Sequence, residues 1–349
     1  MFKVSPITAK RLKKFRSIKR GYYSFVALIV LIVLSMFAEL VISNRALMVK
    51  YDDSYYFPTY GDIIPGTTFG ETYEWETNYR KLKEKFDAEP EKGNFVILPP
   101  VPFNAFENDL KEGEYPPFPP NFSDQHYLGT DNTGRDILAR LFYGFRTAIM
   151  FSLGLLVMTY SIGISVGCMM GYFGGKFDIV LQRLIEIWSN IPFLYVVIIM
   201  SSIMVPNFTM LIVIMVMFSW PSMTWYMRTA TYKEKAREYV QAAKASGAST
   251  GRVIFNHILP NTISTIITFV PFQVVSGITS LTALDYLGFG LPAPTPSWGE
   301  LLQQGTENLS AIWIVSSVIA FMVVILIMVT FVGEAIREAF DPKVHTVYE

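Results

Sequence analysis

The chain has 349 residues, of which 51% are hydrophobic and only 17% charged, with 29 basic and 29 acidic side chains cancelling to zero. Soluble domains carry about a quarter charged residues, so the deficit points to long apolar stretches rather than one globular core. A net charge of zero supplies no electrostatic argument for nucleic acid. The single cysteine, Cys168, excludes an internal disulfide framework. Its apolar surroundings favour a small buried hydrophobe over a reactive thiol.

In chain order, residues 1–21 come first, a basic segment with Lys3, Lys10, Arg11, Lys13, Lys14, Arg16, Lys19 and Arg20 and no acid. The apolar stretch 22–42 follows, with Glu39 near its end. It exceeds the usual ~7–15 residues of a cleavable signal and lacks an obvious small-residue cleavage site, so a permanent anchor is expected. Five more stretches approach the ~20 residues that a bilayer-crossing helix needs: 147–172, 188–205, 208–227, 262–283 and 311–332. The third can begin earlier, in a mixed stretch containing Arg183 and Glu186.

Lysine and arginine in short loops set orientation. The basic N-terminus is expected in the cytoplasm, and six spans return the C-terminal segment 334–349 to the same side. Segment 228–261 then lies in the cytoplasm, and it holds Arg228, Lys233, Lys235, Arg237, Lys244 and Arg252. The outer segments 206–207 and 284–310 contain neither Lys nor Arg. The long stretch 43–146 is expected outside as an insertion, since long loops cross regardless of charge. It carries Tyr51, Tyr55, Tyr56, Tyr60, Tyr73, Trp75 and Tyr79, then a Pro-rich run from Pro99 to Pro120. That proline density predicts a small irregular domain. Its aromatics can form its core or a recognition surface.

Within the expected core, 147–333, Gly163, Gly167 and Gly171 share one helix face, a small-residue stripe that lets backbones approach. The fifth span is polar for its position, with Thr265, Thr268, Gln273, Ser276, Thr279, Ser280 and Thr282 around Pro271. Such groups need partners or water in lipid, either across helices or along an aqueous path. Catalytic signatures are missing. His126, His257 and His345 have no metal-ligand spacing, so no metal is expected, and no nucleophile elbow occurs. The nearest approach to a phosphate loop ends in Lys176-Phe177 and has Met170 where glycine is needed. The chain is therefore expected to be no enzyme, and any ATP that drives it must be hydrolysed by another chain.

Segment 228–261 is too polar for lipid and too patterned for a flexible loop. Residues 233–246 are rich in helix formers. Gly247 can end that helix in a left-handed conformation, and Ser249 can cap the next. Val253, Ile254 and Ile258 can share an apolar face, and Pro260 suits the first turn of the fifth span. A short helix, a tight turn and a second short helix result, with Ala242 and Ala243 leaving room for a partner to approach. The spacing alone also fits an interfacial helix resting on lipid headgroups.

These residues, Gln241-Ala242-Ala243 through Gly247 to Leu259-Pro260, closely resemble the E-A-A-x-x-x-G coupling motif of bacterial ABC importer permeases. Gln241 stands where the family usually has Glu. The stretch from His126 through Asp131, Arg135 and Asp136 to Gly144 is similar to the second permease of dipeptide and oligopeptide importers. So are Gly171 to Asp178, Leu287–Gly290 with Pro294 to Gly299, and Gly333 to Asp341-Pro342. The N-terminal part and its insertion are similar to permeases of microcin C-type peptide importers. The resemblance implies an all-α integral membrane fold of six helices, the type I importer permease. It implies two ATPase subunits, which carry ATP and Mg, a second permease, an external solute-binding protein and a peptide substrate. It places the chain in the bacterial cytoplasmic (inner) membrane and sets Gln241–Gly247 in a groove on an ATPase. Lys244, Arg252 and His257 belong to the same docking segment, Lys244 and Arg252 as charges that can meet acids on the ATPase. Gln273, Asp285 and Glu300 are candidates for the substrate path, Asp285 either contacting a peptide's amino end or capping a loop. An ion-coupled secondary transporter is the rival reading, and the four cleanest spans, which lack acids and bases, argue against it.

Overall fold

The computed structural model describes residues 6–340. Lys3, His345 and the Asp341-Pro342 ending lie outside the described residues, as does the side chain of Thr265. Helix α1 (Pro6–Ser17) leads into α2 (Lys19–Met36), the first helix long and apolar enough to cross a membrane. The insertion follows, with strands β1 (Met48–Tyr51), β2 (Ser54–Tyr56) and β3 (Phe95–Ile97) and helix α3 (Tyr79–Ala88). The strands form an antiparallel sheet in the order β2-β1-β3, with Val49 opposite both Tyr56 and Val96. Asn78 caps α3 by accepting the Lys81 N–H. The helix lays Tyr79, Leu82 and Phe86 against Val49, Phe69 and Val96 in a core of the insertion's own.

The insertion is thus more regular than its prolines suggest, although residues 99–120 have no helix or strand. Its aromatics divide between core and surface. Tyr79 is sealed in the core with Tyr51 and Tyr56 packed against it, while Tyr55, Tyr60 and Trp75 face solvent.

Helix α4 (Ile137–Phe173) has 37 residues and starts ten residues before the expected span, because Asp136 caps it there through the Ala139 N–H at 2.7 Å. At 1.5 Å per residue it runs for about 55 Å, against a hydrocarbon core of about 30 Å. Helices α5 (Gly175–Ser189) and α6 (Phe193–Ile203) meet at a bend of 64°. The third span is therefore a broken pair rather than one helix from Trp188, which sits in the last turn of α5. Pro192, at the N-cap of α6, cannot continue the α5 ladder. Helix α7 (Phe208–Lys235) runs parallel to α4: Phe151 meets Phe208 near one end and Gly171 meets Thr231 at the other. Then come α8 (Glu238–Ala245), the single turn α9 (Thr250–Arg252), α10 (Leu259–Tyr286), α11 (Trp298–Glu307) and α12 (Ile312–Phe340). Among the described residues five helices are long and apolar enough to cross a membrane, or six spans if the bent pair counts as one.

A Cβ on Gly163 would lie 2.8 Å from the Met223 Cβ, and one on Gly167 or Gly171 would lie 2.6 Å from a backbone oxygen of α7. The stripe thus seats α4 directly on the α7 backbone. The main core joins α4, α10 and α12 through Phe145, Ile278, Trp298 and Val318. Cys168 is buried in it. Both described ends of the chain lie at one end of the bundle. Lys14 pairs with Glu338 at 2.9 Å, and Arg20 with Glu334 at 3.1 Å. The insertion and α11 occupy the other end.

Candidate coupling site

The expected single helix over residues 233–246 is two helices. The chain turns at Ala236, and Arg237 is extended with ψ 149°, so α8 leaves at an angle to α7. Every residue at this break is an adequate helix former. Burial decides it, because the turn swings Val240 into a cluster with Val253 and Ile258. Gln241 spans the break, its Nε2 donating to the Lys235 carbonyl at 2.8 Å and satisfying one of the orphan acceptors at the end of α7.

At the other end of α8 the Gly247 N–H donates to the Lys244 carbonyl and the Ala248 N–H to the Ala243 carbonyl. This is a Schellman closure, and it requires the left-handed Gly247, whose φ is +79°. Nothing lies within 4 Å of a Cβ built there, so the glycine is needed for its conformation rather than for space. Gln241, Ala242 and Gly247 are exposed, and Ala243 and Lys244 half-buried. The short helix and its turn stand out from the bundle.

Ser249 takes the N-cap backbone position of α9, but its hydroxyl makes no capping bond. From Thr250 the chain stays helical into the membrane helix. Residues Val253–Ile258 form a π-helical turn that runs directly into Leu259 and Pro260 at the start of α10. Pro260 has no N–H to give to the preceding turn, and a widened turn there keeps the helix unbroken. Ile254 is buried in the main core, while Val253 and Ile258 hold Val240. Tyr172, in the last turn of α4, packs on the same cluster. The Lys244 ammonium lies 4.8 Å from the centre of the Tyr172 ring, a cation–π contact that turns it inward to this chain. Of the two charges expected to face a partner's acids, Arg252 is the exposed one. His257 is half-buried, and its carbonyl accepts from the Asn261 amide at 2.6 Å.

Sequence reading missed the brace beside this surface. The Arg228 guanidinium grips Asp178 through two bonds of 2.6 Å, and the Tyr232 hydroxyl adds a third at 2.7 Å. The brace fixes α5 to α7 across 50 residues of sequence. An acid four residues past Gly174, in the first turn of α5, was the available signal.

The three candidates for a substrate path fall in different places. Gln273 lines a cavity of about 200 Å³ with Tyr160, Ser222, Met223, Tyr226 and Phe269, between α4, α7 and α10. Asp285 is buried at the end of α10. It accepts the Leu291 N–H at 2.7 Å and the Ser297 hydroxyl, so it closes the 287–297 loop. Glu300 receives Arg135 at 2.7 Å and also Arg140, which is completely buried. Arg140 gives a further bond to the Ala105 carbonyl at 2.9 Å. This network, completed by Asp131 on Arg135 at 2.7 Å, locks the insertion onto α4 and α11. Beside it His126 stacks on Phe103 and sits between Asp136 on Nδ1 at 2.8 Å and Asp109 on Nε2 at 3.2 Å. Burial pulls its pKa down, but the two carboxylates outweigh burial and hold it above the ordinary histidine value.

Comparison with known proteins gives this geometry relatives. The profile described as "Binding-protein-dependent transport system inner membrane component" matches residues 163–346. A second profile, of the Ctr copper transporter family, matches residues 2–178, a stretch that full-length permease relatives also cover. The inner membrane ABC transporter permease protein YejE of Escherichia coli K12 is 39% identical over 98% of this chain and 99% of its own length. The Agrobacterium fabrum YejE, named a peptidoglycan transport system permease, is 35% identical over 97% of this chain and 94% of its own. The E. coli K12 oligopeptide permease OppC is 33% identical over 71% of this chain and 82% of its own. In a solved inward-facing structure of the methionine ABC transporter MetNI, 59% of this chain superposes on 96% of the matched chain at 15% identity and a TM-score of 0.49. With 39% identity to a relative over 98% of this chain, the chain belongs to the binding-protein-dependent transport system inner membrane components, the permease subunits of ABC transporters.

Proposed function

We propose that this chain is one of the two permeases of an ATP-driven importer of oligopeptides or microcin C-like peptide conjugates, and that α8 with its Gly247 turn is the surface through which a partner ATPase moves it. The observation that carries the reading is the exposed α8, closed by Gly247 and joined at its base to three membrane helices. Val240 rests on Tyr172 of α4, the break at Ala236–Arg237 joins α8 to α7, and the π turn leads without interruption into α10. A push on α8 therefore reaches α4, α7 and α10 together. The end of the bundle that bears α8 also bears the basic N-terminal helix, which supports a cytoplasmic position for it by the positive-inside rule. ATP and Mg belong on the partner.

Peptide cargo is supported by the names of the relatives, and the Gln273 cavity between α4, α7 and α10 is the first candidate for its path. A solute-binding protein would deliver that cargo on the insertion side. The test is uptake by cells or proteoliposomes carrying the whole importer. Gly247→Asp should reach the membrane at normal levels and lose ATP-dependent uptake. Wild-type uptake by a normally inserted Gly247→Asp protein would overturn the coupling role.

A further inference from the structure

The basic helix α1 does not simply extend the first span. In one continuous helix Phe15 and Phe25 would stand about 15 Å apart along the axis, yet their rings meet edge to face at 5.7 Å. The chain turns at Ile18, where ψ is 82°, and α1 folds back beside the start of α2. Lys14 on Glu338, and the Arg11 guanidinium 4.7 Å from the centre of the Phe340 ring, hold it against the last turn of α12.

Between α1, α2, α10 and α12 lies a groove of about 220 Å³. Leu12, Phe15, Phe25, Ile267, Ile336 and Phe340 line it, and Arg11 is the charged residue among its walls. Phe25 lies six residues past the start of α2 and Ile267 eight past the start of α10, so the groove reaches roughly 10 Å inward from the end of the bundle. Leu12 and Phe25 are still 49% and 41% exposed, so nothing in this chain closes it. The five basic side chains of α1, Lys10, Arg11, Lys13, Lys14 and Arg16, stand with no acid on the helix. Glu338 answers Lys14, and among the described residues no carboxylate pairs with the other four.

An open apolar groove sunk to acyl-chain depth beneath an excess of cations fits an anionic phospholipid. Its chain brings no preference, because lipid tails are as apolar as the groove itself. Discrimination falls to the headgroup, which each nearby basic side chain favours by about five-fold when it is anionic. A guanidinium that rests on an aromatic ring can still donate to phosphate from its N–H edge. A protein partner meeting the bundle from the water would leave the Phe25 and Ile267 end of the groove empty. We propose that this groove holds one anionic phospholipid, an acyl chain against Phe15, Phe25 and Ile267 and its phosphate beside Arg11. The inference needs only a chain that spans a membrane, and its failure would leave the coupling role of α8 untouched.

The test is native mass spectrometry of the full-length protein in detergent. Phosphatidylglycerol, phosphatidylethanolamine with the same acyl chains, or glycerol 3-phosphate is supplied. One phosphatidylglycerol should bind first, at least about five-fold tighter than phosphatidylethanolamine, and Arg11→Gln should cut that preference by about five-fold. Leu12→Trp keeps every charge but fills the groove, and it should remove the preferred molecule. Leu12 is exposed and Arg11 half-buried, so both variants should melt as the wild type does. A benzoylphenylalanine in place of Leu12, irradiated in cells, should crosslink to phospholipid. Equal binding of the two lipids, a preference that survives both substitutions, glycerol 3-phosphate binding as tightly as the lipid, or a crosslink to protein alone would overturn the proposal.

Discussion

Gly247 illustrates how much one backbone angle can carry. With φ at +79° and open space around it, substitution there strains the chain without creating a clash. Left-handed geometry costs an ordinary L-residue roughly 1–2 kcal/mol, and Asn less. A graded series is expected: Gly247→Asn should retain most uptake, Gly247→Val should lose most of it, and both should insert normally. Equal uptake across the series would show that the Schellman closure is dispensable. Gln241 makes a second test. Its amide donates to the Lys235 carbonyl, and a glutamate at that position could only accept. Gln241→Glu should loosen the α7–α8 joint by about 1 kcal/mol, seen as several-fold faster amide exchange over residues 236–241. Unchanged exchange would count against the joint.

At the scale of elements, the α4–α7 pair depends on the absence of side chains at three positions. Gly167→Leu places a branched side chain where a Cβ alone would already lie 2.6 Å from the Thr224 carbonyl. The expected cost is about 1–3 kcal/mol or more, read as a lower melting temperature in detergent, with Gly154→Ala as the milder control because its nearest neighbour is the end of the Ile212 side chain. The glycine stripe was legible in the sequence because spacing alone puts its members on one face. So was Gly247, since few residues tolerate its conformation. The break at Ala236–Arg237 was not, because local propensity favours helix throughout and only the distant pairing of Val240 with Val253 and Ile258 opposes it. Asp285 was open to two readings by sequence, and its bonds to Leu291 and Ser297 support the loop cap. The ion pairs of Glu300 were hidden for a similar reason. Its partners Arg135 and Arg140 lie 165 and 160 residues away, so an ion pair looked like a free carboxylate.

The whole molecule is held together where the insertion meets the bundle, and that junction should depend on charge and pH. Arg140→Ala would leave Asp131 and Glu300 to share Arg135 alone beside a new cavity, a change that costs at most about 3–5 kcal/mol, the scale of removing one member of a buried pair. Thermal unfolding in nanodiscs should show it, and Arg140→Ala melting within a degree or two of wild type would contradict it. His126 adds the pH term. Its folded pKa lies above the ordinary 6.5. The stabilisation it gives as an imidazolium between Asp109 and Asp136 is therefore complete below about 6.5 and fades as pH rises through the raised folded value. Wild-type melting temperature should fall over that window, and His126→Gln should flatten the fall. An identical slope in the variant would remove His126 from the account.

Helix α4 carries Asp136 and Arg140 at one end and Tyr172 at the other, about 55 Å apart along one unbroken ladder of hydrogen bonds. Reciprocity follows from that rod. If an occupant of the insertion favours one posture of α4, the same posture favours that occupant, and the free energy exchanged is equal in both directions. Whatever is engaged at one end would then tune what is held at the other by the factor its own affinity gains. The two faces of the membrane would settle a single equilibrium through one helix, with no messenger between them.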